Sequence, residues 1–312
     1  TNFIAGDVLN NVFTVGLGAA DGAFKIFAAS TTEVVIDITG YYAPPAAAGL
    51  YFHPLPKPIR LLETRVGEPG CFTTGTPIPG GMDTIQQGTT TCDGVTIPAT
   101  AKALVGNATT VVPAANGFIT LYPADATSLP LASSGNYRTG KTLNSPFTVG
   151  LSPSGQFKIY TVVTVDVVID VLGYFSAEAL DVNGTGLLFN SLTPVRLLDT
   201  RPGATAACFT PGAPLTGGVE SLQAARGVCT IANTARAIVG NATTVMPTAN
   251  GFLTFWPSDV ATRPVAATSN YQTGRNLNRY FTVGLGSVDG AFKMYAASTT
   301  NLVVDVSGYF AP

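Results

Sequence analysis

Residues 103–123 read ALVGNATTVVPAANGFITLYP, and residues 237–257 read AIVGNATTVMPTANGFLTFWP. Each is a pair of runs rich in Val, Ile, Thr and aromatic residues, with Asn116-Gly117 or Asn250-Gly251 between them. β-Branched and aromatic side chains suit extended backbone, and Asn-Gly between apolar runs is a strong local signal for a tight hairpin. The run FTVGL, a turn, and FKIY predict a second hairpin. Its turn is Asp21-Gly22 and Asp289-Gly290 in two copies but Ser154-Gly155 in the third. Since the middle copy lacks the aspartate, the residue is expected to serve the turn backbone rather than a calcium ion. No helical periodicity is evident, and 34 Gly and 22 Pro would interrupt most helices. The reading is all-β: tandem antiparallel β-sandwich domains, jelly-roll or immunoglobulin-like, joined by short linkers. A β-trefoil is the rival, but no threefold repeat shows inside each copy.

Outward from these stretches the chain repeats itself. Asn2, Asn136 and Asn270 begin equivalent segments, and GYY at 40–42, GYF at 173–175 and GYF at 308–310 end them. IRLLETR and VRLLDTR, holding Arg60 and Arg196, recur with the same period of about 135 residues. That period is domain-sized, so the expected organisation is a string of beads. Residues 49–175 and 186–312 are complete repeats, and residues 1–45 hold only the later half of one. The joints, PPAAAG at 44–49 and SAEALDVNGTG at 176–186, are short enough to restrict how neighbours sit.

Composition narrows the function classes. Charged residues are 11% of the 312, against about 25% in ordinary soluble domains. The net charge is −2 and no run of Lys or Arg occurs, which speaks against nucleic acid. No stretch approaches the roughly 18 apolar residues of a membrane helix. Low charge removes the self-repulsion that keeps monomers apart, a feature suited to assembly. Cys71 and Cys92, and Cys208 and Cys229, have the same spacing in their repeats. With no CxxC and a single His, each pair predicts one disulfide rather than a zinc site, and hence an extracellular or cell-surface location. The start at Thr1, without a signal peptide, reads as a mature chain or a section of one.

The motifs RLLDTR (Arg196–Arg201), Val239–Thr243 with GFLTFWP (Gly251–Pro257), and VVDVSGYF (Val303–Phe310) have counterparts in the other full copy. Together they resemble tandem β-domain modules of secreted bacterial surface proteins. The resemblance covers nearly the whole chain. It implies an extracellular β-domain, often beside cell-wall or polysaccharide enzymes, and brings no catalytic or binding residues.

Asp37, Asp170 and Asp305 recur inside apolar strands, and Glu63 and Asp199 sit between arginines. Paired carboxylates serve glycosidases, but a carboxylate in an apolar strand must first find a partner. The expected role is structural: Asp170 with Arg65 and Asp305 with Arg201, or bonds from backbone N–H groups, tying the last strand to the first. His53 is the only histidine and has Asn190 in its place in the other repeat, so no repeated His-dependent catalyst is expected. Asn107, Asn183 and Asn241 begin N-x-S/T sequons, and Asn183, in the polar joint, is the glycosylation candidate. Tyr122 and Trp256 share one repeat position and are candidates for a sugar-stacking platform, with core packing as the alternative. No cofactor is implied.

Counting halves along the chain gives three late ones and two early ones. A second copy of the chain has no spare early half to lend. Two readings follow: the early half lies upstream in a longer tandem chain, or the orphan half forms a sheet whose open edge docks on a neighbour. Both point to a structural protein, a section or subunit of a surface filament whose partners are copies of itself or adjacent repeats. A carbohydrate- or cell-wall-binding stalk, with surface polysaccharide as partner, is the alternative. An enzyme finds no polar cluster to support it.

Overall fold

In a computed structural model, residues 6, 8–43 and 49–312 are described, and these contain no helix. The first full repeat supplies β1 (Tyr51–Glu63), β2 (Asp83–Gln87), β3 (Ala101–Val111), β4 (Gly117–Pro123), β5 (Gly135–Tyr137), β6 (Leu143–Gly150), β7 (Gln156–Thr161) and β8 (Asp166–Ser176). The second supplies β9 (Leu188–Asp199), β10 (Glu220–Ala224), β11 (Ala237–Val245), β12 (Gly251–Pro257), β13 (Ser269–Tyr271), β14 (Leu277–Gly284), β15 (Ala291–Ala296) and β16 (Asn301–Ala311). Two-residue strands at 72–73, 180–181 and 184–185, and a hairpin of 90–92 with 95–97, decorate the first repeat and the joint.

The first repeat forms two sheets, ordered β1-β8-β3-β6 and β2-β7-β4-β5, and the second repeats this as β9-β16-β11-β14 and β10-β15-β12-β13. Neighbours among these sixteen strands are antiparallel, whereas the two-residue strand at 72–73 runs parallel to its neighbour, β1. β1 lies beside β8, β2 beside β7, β3 beside β6 and β4 beside β5. Each repeat is thus one long antiparallel ribbon folded over into two facing sheets, which is a jelly roll.

This topology corrects both predicted hairpins. β3 and β4 lie in opposite sheets, as do β6 and β7, so Asn116-Gly117 does not turn a hairpin. The chain leaves the first sheet at Val112 and Met246, which take φ of 43° and 48° just before a proline. Asn116 instead accepts hydrogen bonds from the backbone N–H and hydroxyl of Thr139, 3.0 and 3.1 Å away, and Asn250 does the same for Thr273. The asparagine therefore ties the arch to the stretch after β5. The connection that does join paired neighbours runs from β4 to β5, through residues without strand signals.

Call β1–β4 and β9–β12 the early strands, and β5–β8 and β13–β16 the late ones. In every sheet the two kinds alternate, and no late strand pairs with another late strand. This has a direct consequence for the N-terminal half-repeat. Residues 8–43 match late strands only, so they hold no partner among themselves, and they form no strand. The orphan sheet expected from the sequence is not built. Its turn, however, is formed. Gly22 N–H donates to Gly18 O (2.9 Å), Gly18 N–H to Ala23 O (2.8 Å), and Ala23 N–H to Asp21 Oδ1 (3.0 Å). Gly290, Gly286, Ala291 and Asp289 make the same set in the second repeat. Residues 1–5, 7 and 44–48 of the half-repeat and its joint lie outside the described residues.

Inside each jelly roll the alternating apolar positions meet. Leu61, Leu104, Ile119, Phe157, Val167 and Ile169 belong to one core, and Leu197, Ile238, Phe255, Phe281, Phe292 and Val304 to the other. Gly106 and Gly240 sit where the neighbouring strand presses closest: a Cβ there would meet Asp170 O at 2.1 Å and Asp305 O at 2.0 Å. Disulfides Cys71–Cys92 and Cys208–Cys229 close equivalent loops, each a constraint of roughly 3 kcal/mol in the chain-entropy picture.

The two modules are not separate beads. A third apolar cluster, with Phe52, Val105, Leu187, Val239, Tyr280 and Phe310 buried in it, draws on both, and Val12 of the N-terminal segment packs against it. Phe52 and Phe310 pack across the junction with ring centroids 4.3 Å apart and planes tilted by 31°. Tyr42 closes the cluster from outside, 4.3 Å from the ring of Phe189.

Candidate interaction surface

The recurring Arg and Asp residues converge on the outer face of the first sheet of each module. Arg60 and Asp170 are direct cross-strand partners, as are Arg196 and Asp305. Arg60 Nε donates to Asp170 Oδ1 at 3.0 Å, and Arg196 Nε to Asp305 Oδ1 at 2.8 Å. The expected pairs with Arg65 and Arg201 are therefore wrong by one arginine. Arg65 and Arg201 follow the end of their strands and fold back on Glu63 and Asp199, each with an ion-pair contact of 2.6 Å. Burial alone would raise the Glu63 carboxyl, but the bonds from Arg65 hold it below its usual range. Bonds from Arg201 do the same for Asp199. Asp170 goes the other way: complete burial raises it, against the pull of Arg60. The threonine of each motif had no assigned role in the sequence. Its hydroxyl accepts a bond from Val167 N–H (Thr64, 2.8 Å) or Leu302 N–H (Thr200, 2.7 Å), stitching the motif to the last strand.

What buries Asp170 is the second module. Its second carboxylate oxygen accepts a bond from Ala267 N–H (2.9 Å), and Asn107 Nδ2 donates to Ala267 O (3.2 Å). Asn144 makes a two-point contact beside it, donating to Thr268 O (3.0 Å) and accepting from Asn270 N–H (2.8 Å). Arg60 reaches Val265 O, and Arg279 Nε donates to Asn144 O. So the stretch just before β13 seats on the outer face of the first module's β1-β8-β3-β6 sheet.

One repeat earlier the same contact recurs. Asn10 occupies the position of Asn144; it donates to Ser134 O (3.1 Å) and accepts from Asn136 N–H (2.9 Å). Asp37, in the position of Asp170, accepts from Ser133 N–H at 3.3 Å. Ser134, Asn136 and Ser133 are the counterparts of Thr268, Asn270 and Ala267. The N-terminal segment therefore docks on module one as module one docks on module two.

The series then returns on itself. Asn11, in the position of Arg279, donates to Asn241 (2.9 Å) and accepts from Tyr280 N–H (2.8 Å) on the second module, and Thr14 shares a 2.8 Å hydrogen bond with the Tyr280 hydroxyl. Val12, Pro146 and Tyr280 hold equivalent repeat positions, and all three line one gap of 10 Å³. Equivalent residues from three segments around one point define an approximate threefold arrangement. The Asn and Asp contact is head-to-tail at two junctions, and Asn11 and Thr14 complete the circuit of three segments at the third.

The other sequence candidates fall elsewhere. Tyr122 and Trp256 are 2% and 0% exposed. Tyr122 donates to Asp83 at 2.5 Å and Trp256 Nε1 to Val260 O at 3.2 Å, so neither offers a flat face to a sugar. Asn183 spends its amide nitrogen on Thr96 O (2.7 Å) and the Tyr174 hydroxyl (2.9 Å), bonds that a glycan on that nitrogen would displace. His53 is fully buried at the joint, stacked on Tyr174 and 3.3 Å from Asp181. Asn107 and Asn241 serve the module contacts just described. An open depression of 290 Å³ lies beside Arg196, Asp199 and Arg201 of the second module.

The described chain is therefore, by class, an all-β protein of tandem jelly-roll modules. No family model matches its sequence, and no curated protein does. Among solved structures it is similar to the tandem CBM22 domains of Paenibacillus barcinonensis Xyn10C, at 12% identity, covering 73% of this chain and 85% of that one, with a TM-score of 0.19. It is also similar to the Macrobrachium rosenbergii nodavirus structure, at 9% identity, 92% and 97% coverage and a TM-score of 0.21. The Penaeus vannamei nodavirus structure gives 11% identity, 94% and 99% coverage and 0.20. Scores this low carry no functional argument.

Proposed function

We propose that this chain is a structural protein of an extracellular assembly, a fibre or surface filament, in which a ring of three jelly-roll positions is the repeating bead. The observation that supports this reading is the recurrence of one contact: Asn10 on Ser134 and Asn136, and Asn144 on Thr268 and Asn270. A protein that uses the same asparagine and aspartate to join successive modules has a reusable assembly joint rather than a one-off interface. The two disulfides and the low charge fit an extracellular, self-associating object. Because the three segments already meet around one point, growth of a fibre uses the faces above and below the ring. Polysaccharide binding is the weaker reading, since the aromatic platform it needs is inside the modules.

Electron microscopy of the native protein at low micromolar concentration tests this. Continuous fibres with a three-lobed repeat are expected. Dispersed particles of a single ring, unchanged with concentration, would overturn the fibre.

A further inference from the structure

The apolar surface of the N-terminal segment is the largest feature that the ring leaves unexplained. Phe13, Phe24, Ile36 and Ile38 are 48, 38, 38 and 84% exposed. Their counterparts in the full modules, such as Phe281, Phe292, Ile169 and Val171, are at most 1% exposed. Exposure of this kind marks an interaction surface. The counterparts are covered by early strands, interleaved with the late ones in both sheets.

We propose that residues 8–43 are an acceptor for an early half-module of this repeat supplied from outside residues 1–312, and that the two interleave into a third jelly roll. The inference rests on the assembly reading above. Four observations identify the occupant. Late strands pair only with early ones, so the half-module's missing neighbours are four strands equivalent to β9–β12. Asp170 and Asp305 each hold the first arginine of an RLL(E/D)TR strand, whereas Asp37 meets no arginine among the described residues. The segment already occupies its place in the ring, and its turn already has the hydrogen bonds of the finished module. Finally, both early halves within these 312 residues are engaged with their own late halves, so the donor comes from outside them. The partner is thus a polypeptide with alternating apolar strands and an arginine placed to meet Asp37. Recognition is by backbone ladders, as in strand complementation.

The probe is a polypeptide of residues 186–268 of this sequence, with its disulfide oxidised, added to the full 312-residue chain. Native mass spectrometry is expected to show a one-to-one complex. Hydrogen exchange is expected to slow at least ~10-fold at amides 13–17, 24–28 and 34–38. A probe with Arg196→Ala is expected to bind about 10-fold more weakly, through loss of one charged hydrogen bond. Should the free probe aggregate, the same segment fused ahead of Thr1 gives the same readout within one chain. Unchanged exchange at those amides in the mixture and the fusion would overturn the inference. Fibres whose 8–43 amides stay unprotected would also overturn it while leaving the assembly reading intact. A protected one-to-one complex that builds no fibre would support the acceptor and count against the fibre.

Discussion

Asp170 and Asp305 occupy the same place in the same strand, opposite the same arginine, and differ only in what lies over them. The Asp170 side chain is 1% exposed beneath the second module, and the Asp305 side chain is 34% exposed. Asp170→Ala removes the Arg60 bond and strands the Ala267 N–H, a buried loss of about 3 kcal/mol. Asp305→Ala removes a partly hydrated pair worth less than about 1 kcal/mol. Thermal melts of the two variants should separate clearly, with Asp170→Ala much the lower; equal shifts would refute the inequality. A partner for these aspartates was legible in the sequence, because a carboxylate in an apolar strand demands one. Which arginine was not, because cross-strand register decides that, and register is set by the bulges in β1 and β9.

At the scale of strands and turns, Asn144 makes the two-point part of the module contact, beside the bonds of Asp170, Asn107 and Arg60. Its carboxamide matches one C=O and one N–H two residues apart, a geometry that an isosteric carboxylate cannot reproduce. Asn144→Ala leaves both backbone groups without this partner, at about 2 kcal/mol. The modules should then part without unfolding, read as faster proteolysis in the joint at 176–186 with unchanged protection of the β8 and β16 amides. Unfolding of either module in step with cleavage would contradict this. Strand existence was readable from β-branched runs, since that chemistry is local. The two Asn-Gly sites misled because a jelly roll sends consecutive strands to opposite sheets. Local turn chemistry is blind to that choice.

At the scale of the whole molecule, acid should act unequally on the two modules. Glu63 and Asp199 are held below their usual values by arginine, so their contribution is present at neutral pH and is lost as pH falls below about 4. Asp170 is raised by burial, so its ionised form is penalised at neutral pH and that penalty lifts on acidification. The first module therefore has an offsetting group. Calorimetry from pH 5 to about 2 should show the second module's transition falling first. A single transition moving as one would show the modules too tightly coupled for the difference to appear.

The amino-acid sequence by itself determined the all-β class, the repeats, the paired cysteines and the unequal count of early and late halves, because these follow from residue type and spacing. Tertiary structure decided the rest. It placed Tyr122 and Trp256 inside, exchanged the arginine partners, and turned a string of beads into a closed ring. It also showed why half a module builds no sheet: in this topology each late strand takes its backbone hydrogen bonds from early strands, and those are distant in sequence and invisible to any local pattern.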